Sequence, residues 1–278
     1  MVVADFNKDG RPDIATLAEI DLDLATDKSI NMGLVNVALN LPSGWKATSD
    51  GFSSYIHGDW LSAADLDGDG WPDLLLTSRN LGITDVIMRN VGKGEKFAPM
   101  ATLQVPVAAY IFASAAGPLD RFPNPDAVYC FEQFNPRTTG GVPAQACVVY
   151  RFHDASGRPI QTPTTQLLFK QTEEYQNVKG VAIGDIDGDG RNDIAVITNQ
   201  GKVRVFLQLT DGTFYEDKSA ALDTGGADLF DVKIADLYHN GMGEIVVIGA
   251  PREEVKANGG IWVFAPKETA PKSRRAGR

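Results

Sequence analysis

The 278-residue sequence predicts an all-β fold, a β-propeller of about five four-stranded blades with calcium loops. Three observations support this prediction. An acidic loop recurs along the chain, its five copies are 51 to 65 residues apart, and short strand-like runs without a convincing helical pattern lie between them. A period of this length, with three to four short strands in each copy, is typical of propeller blades.

The acidic loop is clearest in the stretch AADLDGDGWPDLLLTS, residues 63–78. Its first, third, fifth and ninth positions are Asp65, Asp67, Asp69 and Asp73. Carboxylates this close together repel one another strongly unless a cation lies among them. Calcium binds six to eight oxygen ligands, and Gly70 permits the sharp turn that such a loop needs. We expect the backbone carbonyl of Trp71, at the seventh position, to be a further ligand.

The loop differs from an EF-hand, which ends with a glutamate at its twelfth position and lies between two helices. Here the twelfth residue is Leu76, and the flanking segments are short apolar runs of the kind that form strands. The ninth residue, Asp73, is therefore the predicted closing ligand. For a single copy, the alternative is a solvated acidic turn that holds no metal.

Two further copies of the loop are complete. The sequence VVADFNKDGRPDIATL opens the chain, with predicted side-chain ligands Asp5, Asn7, Asp9 and Asp13. The sequence VAIGDIDGDGRNDIAVIT provides Asp185, Asp187, Asp189 and Asp193. In these two loops the predicted backbone carbonyl ligands belong to Arg11 and Arg191. The repetition favours calcium over a chance acidic turn.

Two copies are degraded. The last copy keeps Asp236, Asn240 and Glu244. Tyr238 takes its third position, which makes metal binding doubtful. In AAGPLDRFPNPDAVYCF the retained residues are Asp120, Asn124 and Asp126. This loop is two residues shorter than the complete copies and lacks its glycine, so we expect the site to be empty.

The repeats define a single predicted propeller domain, residues 1–266, anchored at Asp5, Asp65, Asp120, Asp185 and Asp236. Residues 267–278 form a basic tail after prolines and are predicted to be disordered. The blades form either a closed ring or an arc of a larger assembly. A closed ring is favoured, and it requires residues 1–6 to pack beside the blade that contains residues 232–264.

These repeats resemble the FG-GAP, or VCBS-type, repeats of integrin α-subunit-like β-propellers. The last copy also carries the GAP sequence of that family at Gly249, Ala250 and Pro251. The resemblance covers residues 1–266 and implies calcium loops between two strands of a blade. It is weak for function, because such propellers serve in adhesion, in carbohydrate binding and as scaffolds beside catalytic domains.

Composition narrows the range of partners. The formal net charge of −10 disfavours nucleic-acid binding, which usually involves a basic stripe. No apolar run is long enough to span a bilayer.

The chain has no signal peptide and Met1 lies directly on a repeat strand, so we expect a longer gene product or a trimmed chain. The calcium loops indicate an extracellular, periplasmic or cell-surface location.

The two cysteines, Cys130 and Cys147, flank a segment with a TTGG turn. If that turn closes a hairpin, the two residues lie near each other on adjacent strands, where a disulfide is geometrically possible. Two buried free thiols are the alternative.

No catalytic constellation is recognisable. The three histidines, His57, His153 and His239, occur in unrelated contexts, and no nucleophile elbow or phosphate-binding glycine loop is present.

Trp60 and Trp262 are predicted to pack between blades. Trp71 is predicted to point outward, where it could contact a sugar ring or a protein. We therefore predict a non-enzymatic recognition or assembly module with a protein partner. The alternative is a propeller that binds or cleaves carbohydrate.

Overall fold

The computed structural model describes residues 1–22, 30–48, 53–54, 60–77, 87–101, 109–122, 124–133, 144–171, 178–220 and 222–266. In these ranges the regular structure consists of strands, with two short 3₁₀ turns at Lys218–Ala220 and Glu253–Val255. The predicted all-β class is therefore confirmed. No helix in the described part of the chain is long and apolar enough to cross a membrane. The predicted disordered tail, residues 267–278, lies outside the described residues.

The strands form five antiparallel sheets in chain order, which we call blades 1 to 5. Blade 1 contains β1 (Val2–Ala4), β2 (Asp13–Leu22), β3 (Ile30–Leu41) and β4 (Gly44–Thr48), and β5 (Ser53–Ser54) also pairs with β3. Blade 2 contains β6 (Leu61–Ala64), β7 (Asp73–Leu76), β8 (Ile87–Asn90) and β9 (Phe97–Ala101). Blade 3 contains β10 (Ala109–Gly117), β11 (Asp126–Gln133), β12 (Ala144–His153) and β13 (Pro159–Gln171).

Blade 4 contains β14 (Val178–Gly184), β15 (Asp193–Thr198), β16 (Lys202–Gln208) and β17 (Phe214–Glu216), and β18 (Leu222–Asp223) also pairs with β16. Blade 5 contains β19 (Asp228–Ala235), β20 (Glu244–Ala250) and β21 (Gly260–Phe264). Within residues 222–266, blade 5 thus has three strands, whereas the other blades have four or five.

The first strand of each blade faces a common centre. Residues from β1, β6, β10, β14 and β19 line one cavity of about 370 Å³, which we call the axial cavity. Each of these strands packs against the next, from β1 to β6, β10, β14 and β19. This arrangement is the predicted five-blade propeller. Among the described residues, β19 and β1 line the same cavity but pack less closely than the other neighbouring first strands, and the packing of residues 1–6 beside the last blade stays a prediction.

Buried strand residues form the cores between the blades. All six residues of β15, an inner strand of blade 4, are buried, and four of them are apolar, as expected for a strand with a neighbouring blade on each face. The second residue of the acidic loop is apolar and buried in the three complete copies: Phe6, Leu66 and Ile186. The acidic loops are therefore attached to the cores by their second residue.

Trp60 makes a contact across the propeller. It precedes β6 in blade 2, and its Nε1–H donates to the Lys179 carbonyl of blade 4 at 2.9 Å. The Lys233 ammonium of blade 5 lies 5.3 Å from the centre of its ring. Trp60 and Trp262 both pack against buried apolar residues, so their predicted packing role is confirmed.

A disulfide joins the two central strands of blade 3. Cys130 and Cys147 lie directly opposite each other on β11 and β12 and form a disulfide bond. Both residues are fully buried within the core shared by blades 3 and 4. Of the two alternatives that the sequence leaves open, a disulfide and two buried free thiols, the structure has the disulfide.

Candidate metal centres

The acidic loops join the first and second strands of each blade. In blade 4 the loop follows Gly184, which pairs with Asp193. The two oxygens of Asp185 accept hydrogen bonds from the backbone, including one from Gly188 N–H at 2.8 Å and one from Gly190 N–H at 2.8 Å. Gly190 has a φ of 84°, a left-handed conformation that glycine adopts without strain. The first carboxylate therefore shapes the loop in addition to being a possible ligand.

The ninth carboxylate fastens the loop to the sheet. Asp193 is buried, and it accepts hydrogen bonds from Ile186 N–H at 2.9 Å and from Gln208 N–H at 2.8 Å. Asp13 and Asp73 are buried in the same way and accept the equivalent pairs of bonds. This second role explains why an acidic residue ends each complete loop.

Burial makes two of the ninth carboxylates, Asp73 and Asp193, costly to ionise. It raises the pKa of Asp73 to about 7, and nearby Asp67 and Asp69 add to the rise, while the backbone hydrogen bonds oppose it. Burial likewise raises the pKa of Asp193 to about 6. A cation beside either carboxylate would favour its ionised form.

Two of the complete loops bring three carboxylates together. The groups are Asp65, Asp67 and Asp73 in blade 2 and Asp185, Asp187 and Asp193 in blade 4. In each group one oxygen per residue lies within 4.8 Å of the others. In addition, the Oδ1 atom of Asp65 is buried without a hydrogen-bond partner. Both groups could hold a metal ion, and their all-oxygen donor sets suit a hard cation.

The fifth position of each complete loop is paired with an arginine. Arg89 contacts Asp67 and lies 3.2 Å from Asp69, and Arg191 contacts Asp189. Asp69 and Asp189 also accept the backbone N–H of the seventh loop residue and are outside the three-carboxylate groups. Guanidinium groups therefore offset part of the repulsion between the loop carboxylates. A bound cation is not the only group that can do so.

The loop of blade 1 is less acidic at its centre. Its third residue is Asn7, whose Oδ1 accepts the Asp9 N–H at 3.0 Å. Arg11 pairs with Asp9 at 2.5 Å. Asp5 receives the backbone bonds that shape the loop, and Asp13 is the buried ninth residue. All predicted ligands are present in this loop, but they include one carboxylate fewer.

Trp71 is half-buried, and its predicted outward orientation stays a prediction. The ammonium of Lys8, from the blade 1 loop, lies 4.5 Å from the centre of its ring. Lys8 Nζ also donates to the Asp69 carbonyl at 3.4 Å. The tryptophan thus contributes to the contact between two neighbouring loops, a contact that the sequence of one loop cannot indicate.

The structure corrects the alignment of the blade 3 loop. Gly117 pairs with Asp126 as Ala64 pairs with Asp73 in blade 2, so the two loops have equal length. Pro118 therefore occupies the first position and Asp120 the third, and the prediction of a loop two residues shorter is wrong. The proline in place of the first aspartate caused the error.

His153 completes a third cluster of possible metal ligands, with Asp120 and Asp126 of this loop. Its position in the sequence does not connect it with the loop. His153 Nε2 lies 3.2 Å from Asp120 Oδ2 and 3.3 Å from Asp126 Oδ1. His153 is the last residue of β12, at the point where the pairing with β13 changes register. Burial raises the pKa of Asp126 to about 6 and Asp120 adds to the rise, whereas His153 and Arg151 lower it.

The blade 5 loop contains fewer acidic groups. Glu244 is buried and accepts the Leu237 N–H at 2.7 Å, and Asp236 accepts two backbone bonds of 3.0 Å. Tyr238 is exposed at the third position. Among the described residues, this loop does not contribute to a group of three possible metal ligands.

Comparison with known families supports the repeat assignment. No curated protein matches the chain. A family model, the FG-GAP-like repeat, matches residues 5–76 and 150–247, which together form more than half of the chain. These regions contain the first two and the last two acidic loops, and the integrin-like character suggested by the sequence remains a prediction. The chain belongs to the FG-GAP-like repeat family.

Proposed function

We propose that this chain is a calcium-stabilised recognition or assembly module that works outside the cytoplasm and binds a protein partner. The observation that carries the proposal is the convergence of three carboxylates in each of two equivalent loops. The family assignment supports the binding role, since this fold presents several rigid loops on one scaffold.

Calcium fits the donor sets of these loops. The proposed ligands are the first, third, fifth and ninth side chains and the seventh carbonyl of the loops of blades 1, 2 and 4. Ionised carboxylates in a partly buried loop repel one another, and a divalent cation would convert that repulsion into attraction. Because Asn7 replaces a carboxylate and Arg11 pairs with Asp9, we expect the blade 1 loop to bind calcium more weakly.

The disulfide supports the proposed location. Disulfides form and persist in extracellular and periplasmic compartments and are rare in the cytosol. Cys130 and Cys147 are buried and joined directly across two strands, an arrangement compatible with a structural bond.

The exposed face of blade 5 supports a protein partner. Three large apolar side chains on this blade are exposed to solvent: Phe230 (52%), Ile261 (69%) and Val263 (47%). Ile261 and Val263 lie on β21, which pairs on one side with β20 and on the other with no strand of residues 222–266. Among the residues that the structure describes, the outer edge of β21 has no strand beside it, and such an edge next to apolar side chains is suited to a protein that adds a strand.

Calcium binding tests the first half of the proposal. Elemental analysis of the dialysed protein and calorimetric titration should detect calcium, and melting should occur at a higher temperature with calcium than with a chelator. The absence of bound calcium together with an unchanged melting curve would contradict this half.

Variants of blade 5 test the second half. Ile261→Glu should abolish retention of a protein partner from an extracytoplasmic fraction, whereas Leu167→Glu, at an exposed position on blade 3, should retain it. Equal retention by both variants would place the partner elsewhere. Binding of the wild-type chain to a glycan array, with no protein retained, would favour the carbohydrate alternative.

A further inference from the structure

The blade 3 loop has the donor set of a different kind of metal site. We propose that His153, Asp120 and Asp126 bind a transition-metal ion of the zinc class. Calcium sites use oxygen ligands, whereas imidazole nitrogen is a preferred ligand of zinc and its neighbours in the periodic table. The same propeller would therefore carry two types of metal site, one in the acidic loops and one where a histidine joins the loop.

The tautomer of His153 is fixed by its other ring nitrogen. Nδ1 lies 3.1 Å from the Asp154 carbonyl oxygen, which can only accept a hydrogen bond, so Nδ1 carries a proton. In the neutral ring, Nε2 then presents a lone pair to Asp120 and Asp126. A backbone carbonyl that receives the second N–H is the usual outer partner of a metal-binding histidine.

The three ligand groups meet in a buried place. His153 is 4% exposed and Asp126 is fully buried. Neither Nε2 nor either oxygen of Asp126 makes a hydrogen bond of good geometry. In the complete loops, by contrast, the ninth carboxylate accepts a close hydrogen bond from the second loop residue, such as the 2.9 Å bond from Ile186 N–H to Asp193. Two carboxylates facing a nitrogen lone pair without a cation would be strongly unfavourable.

The distances agree with metal coordination. The Nε2 atom is 3.2 Å from Asp120 Oδ2 and 3.3 Å from Asp126 Oδ1. In a tetrahedral zinc site with metal–ligand bonds of about 2.0 Å, neighbouring ligand atoms are about 3.3 Å apart. All three ligand atoms lie within 4.8 Å of one another, so one ion could contact them together.

The surroundings place one guanidinium beside the two carboxylates. The Arg151 Nε atom lies 3.8 Å from Asp120 Oδ2, while the terminal nitrogens of this guanidinium donate to the Gln166 side chain and the Gly212 carbonyl. One guanidinium offsets one of the two carboxylate charges, so a negative charge remains beside His153. Either a proton on Nε2 or a metal ion can neutralise it, and the two lead to opposite experimental results.

Solvent can reach the cluster. Asp120 lines a cleft of about 650 Å³ between the blade 3 loop and blade 4, where Gln208 and residues 190–192 and 210–212 form the other wall. The side chain of Asp120 is 15% exposed, and the Phe122 ring packs edge-on against His153 at 4.9 Å. An ion could therefore enter from the cleft while an aromatic ring shields the histidine.

The test uses the full chain with calcium in excess, so that the all-oxygen loops do not compete for the probe. Calorimetric titration with Zn²⁺ should detect one site per chain, and Co²⁺ should give a visible absorption band typical of a nitrogen-containing site. His153→Gln should weaken Zn²⁺ binding by more than about tenfold. His239→Gln, at an exposed loop position of blade 5, should leave the affinity unchanged.

Asp120→Asn is the second variant, because its partly exposed side chain can be changed with less risk to folding. It should also weaken Zn²⁺ binding while melting at the wild-type temperature in chelator. Failure of the wild-type chain to bind Zn²⁺, or equal binding by the wild type and His153→Gln, would overturn the proposal. In the first case a protonated His153 would be the cation of this loop. Neither result depends on whether the acidic loops bind calcium.

Discussion

The disulfide of blade 3 should account for a measurable part of the stability. The bond between Cys130 and Cys147 closes a segment with a sequence separation of 17. On the chain-entropy estimate, a cross-link of this length lowers the entropy of the unfolded chain enough to stabilise the fold by about 3 kcal/mol. For a chain of this size, that corresponds to a melting temperature higher by roughly 6 °C.

The assay is urea denaturation of the oxidised and the reduced wild-type chain, since both keep the two buried sulfur atoms. The reduced chain should unfold with a free energy lower by about 3 kcal/mol. A Cys130→Ala, Cys147→Ala double variant serves as control, because reductant should not change its unfolding curve. The reasoning fails if mass spectrometry verifies the bond and its reduction, yet the two wild-type curves coincide.

Three other perturbations probe the metal loops and the centre of the propeller. Asp187→Asn should reduce bound calcium by one ion per chain in elemental analysis, whereas Asp211→Asn, an equal change of charge at an exposed turn, should not. In chelator, the free energy of unfolding measured by urea titration should fall as the pH rises from about 4 to about 7. This sign follows because burial raises the pKa of Asp73 to about 7, so the folded state holds its proton longer than the unfolded chain, and excess calcium should abolish the fall. Trp60→Phe should lower the unfolding free energy by about 1 kcal/mol through loss of the bond to the Lys179 carbonyl, and an unchanged urea midpoint would show that this bond contributes nothing.

The sequence was sufficient to predict the propeller because its signal is local and repeated. Each complete loop contains its acidic positions within nine residues. One strand ends immediately before the loop, and the next begins at its ninth residue. The same locality identifies the acidic ninth residue, whereas its burial and its hydrogen bond to a residue such as Gln208 depend on the following strand.

The missed features depend on contacts between distant parts of the chain. His153 follows Asp126 by 27 residues and reaches it at a place where β12 changes register, which no spacing rule predicts. Arg89 reaches the blade 2 loop from β8 in a similar manner. The alignment of Asp120 failed for a local reason, because Pro118 replaces the aspartate that marks the first position in the other copies.

The contact of Trp60 across the axial cavity affects how the propeller should unfold. In an array of repeats that touch only their neighbours, units can melt one after another from an end. Trp60 connects blade 2 with blade 4 through the Lys179 carbonyl and lies beside Lys233 of blade 5. Loss of blade 4 therefore removes a contact from a blade that is two positions away. This link favours cooperative unfolding of blades 2 to 5 over stepwise loss from the blade 5 end.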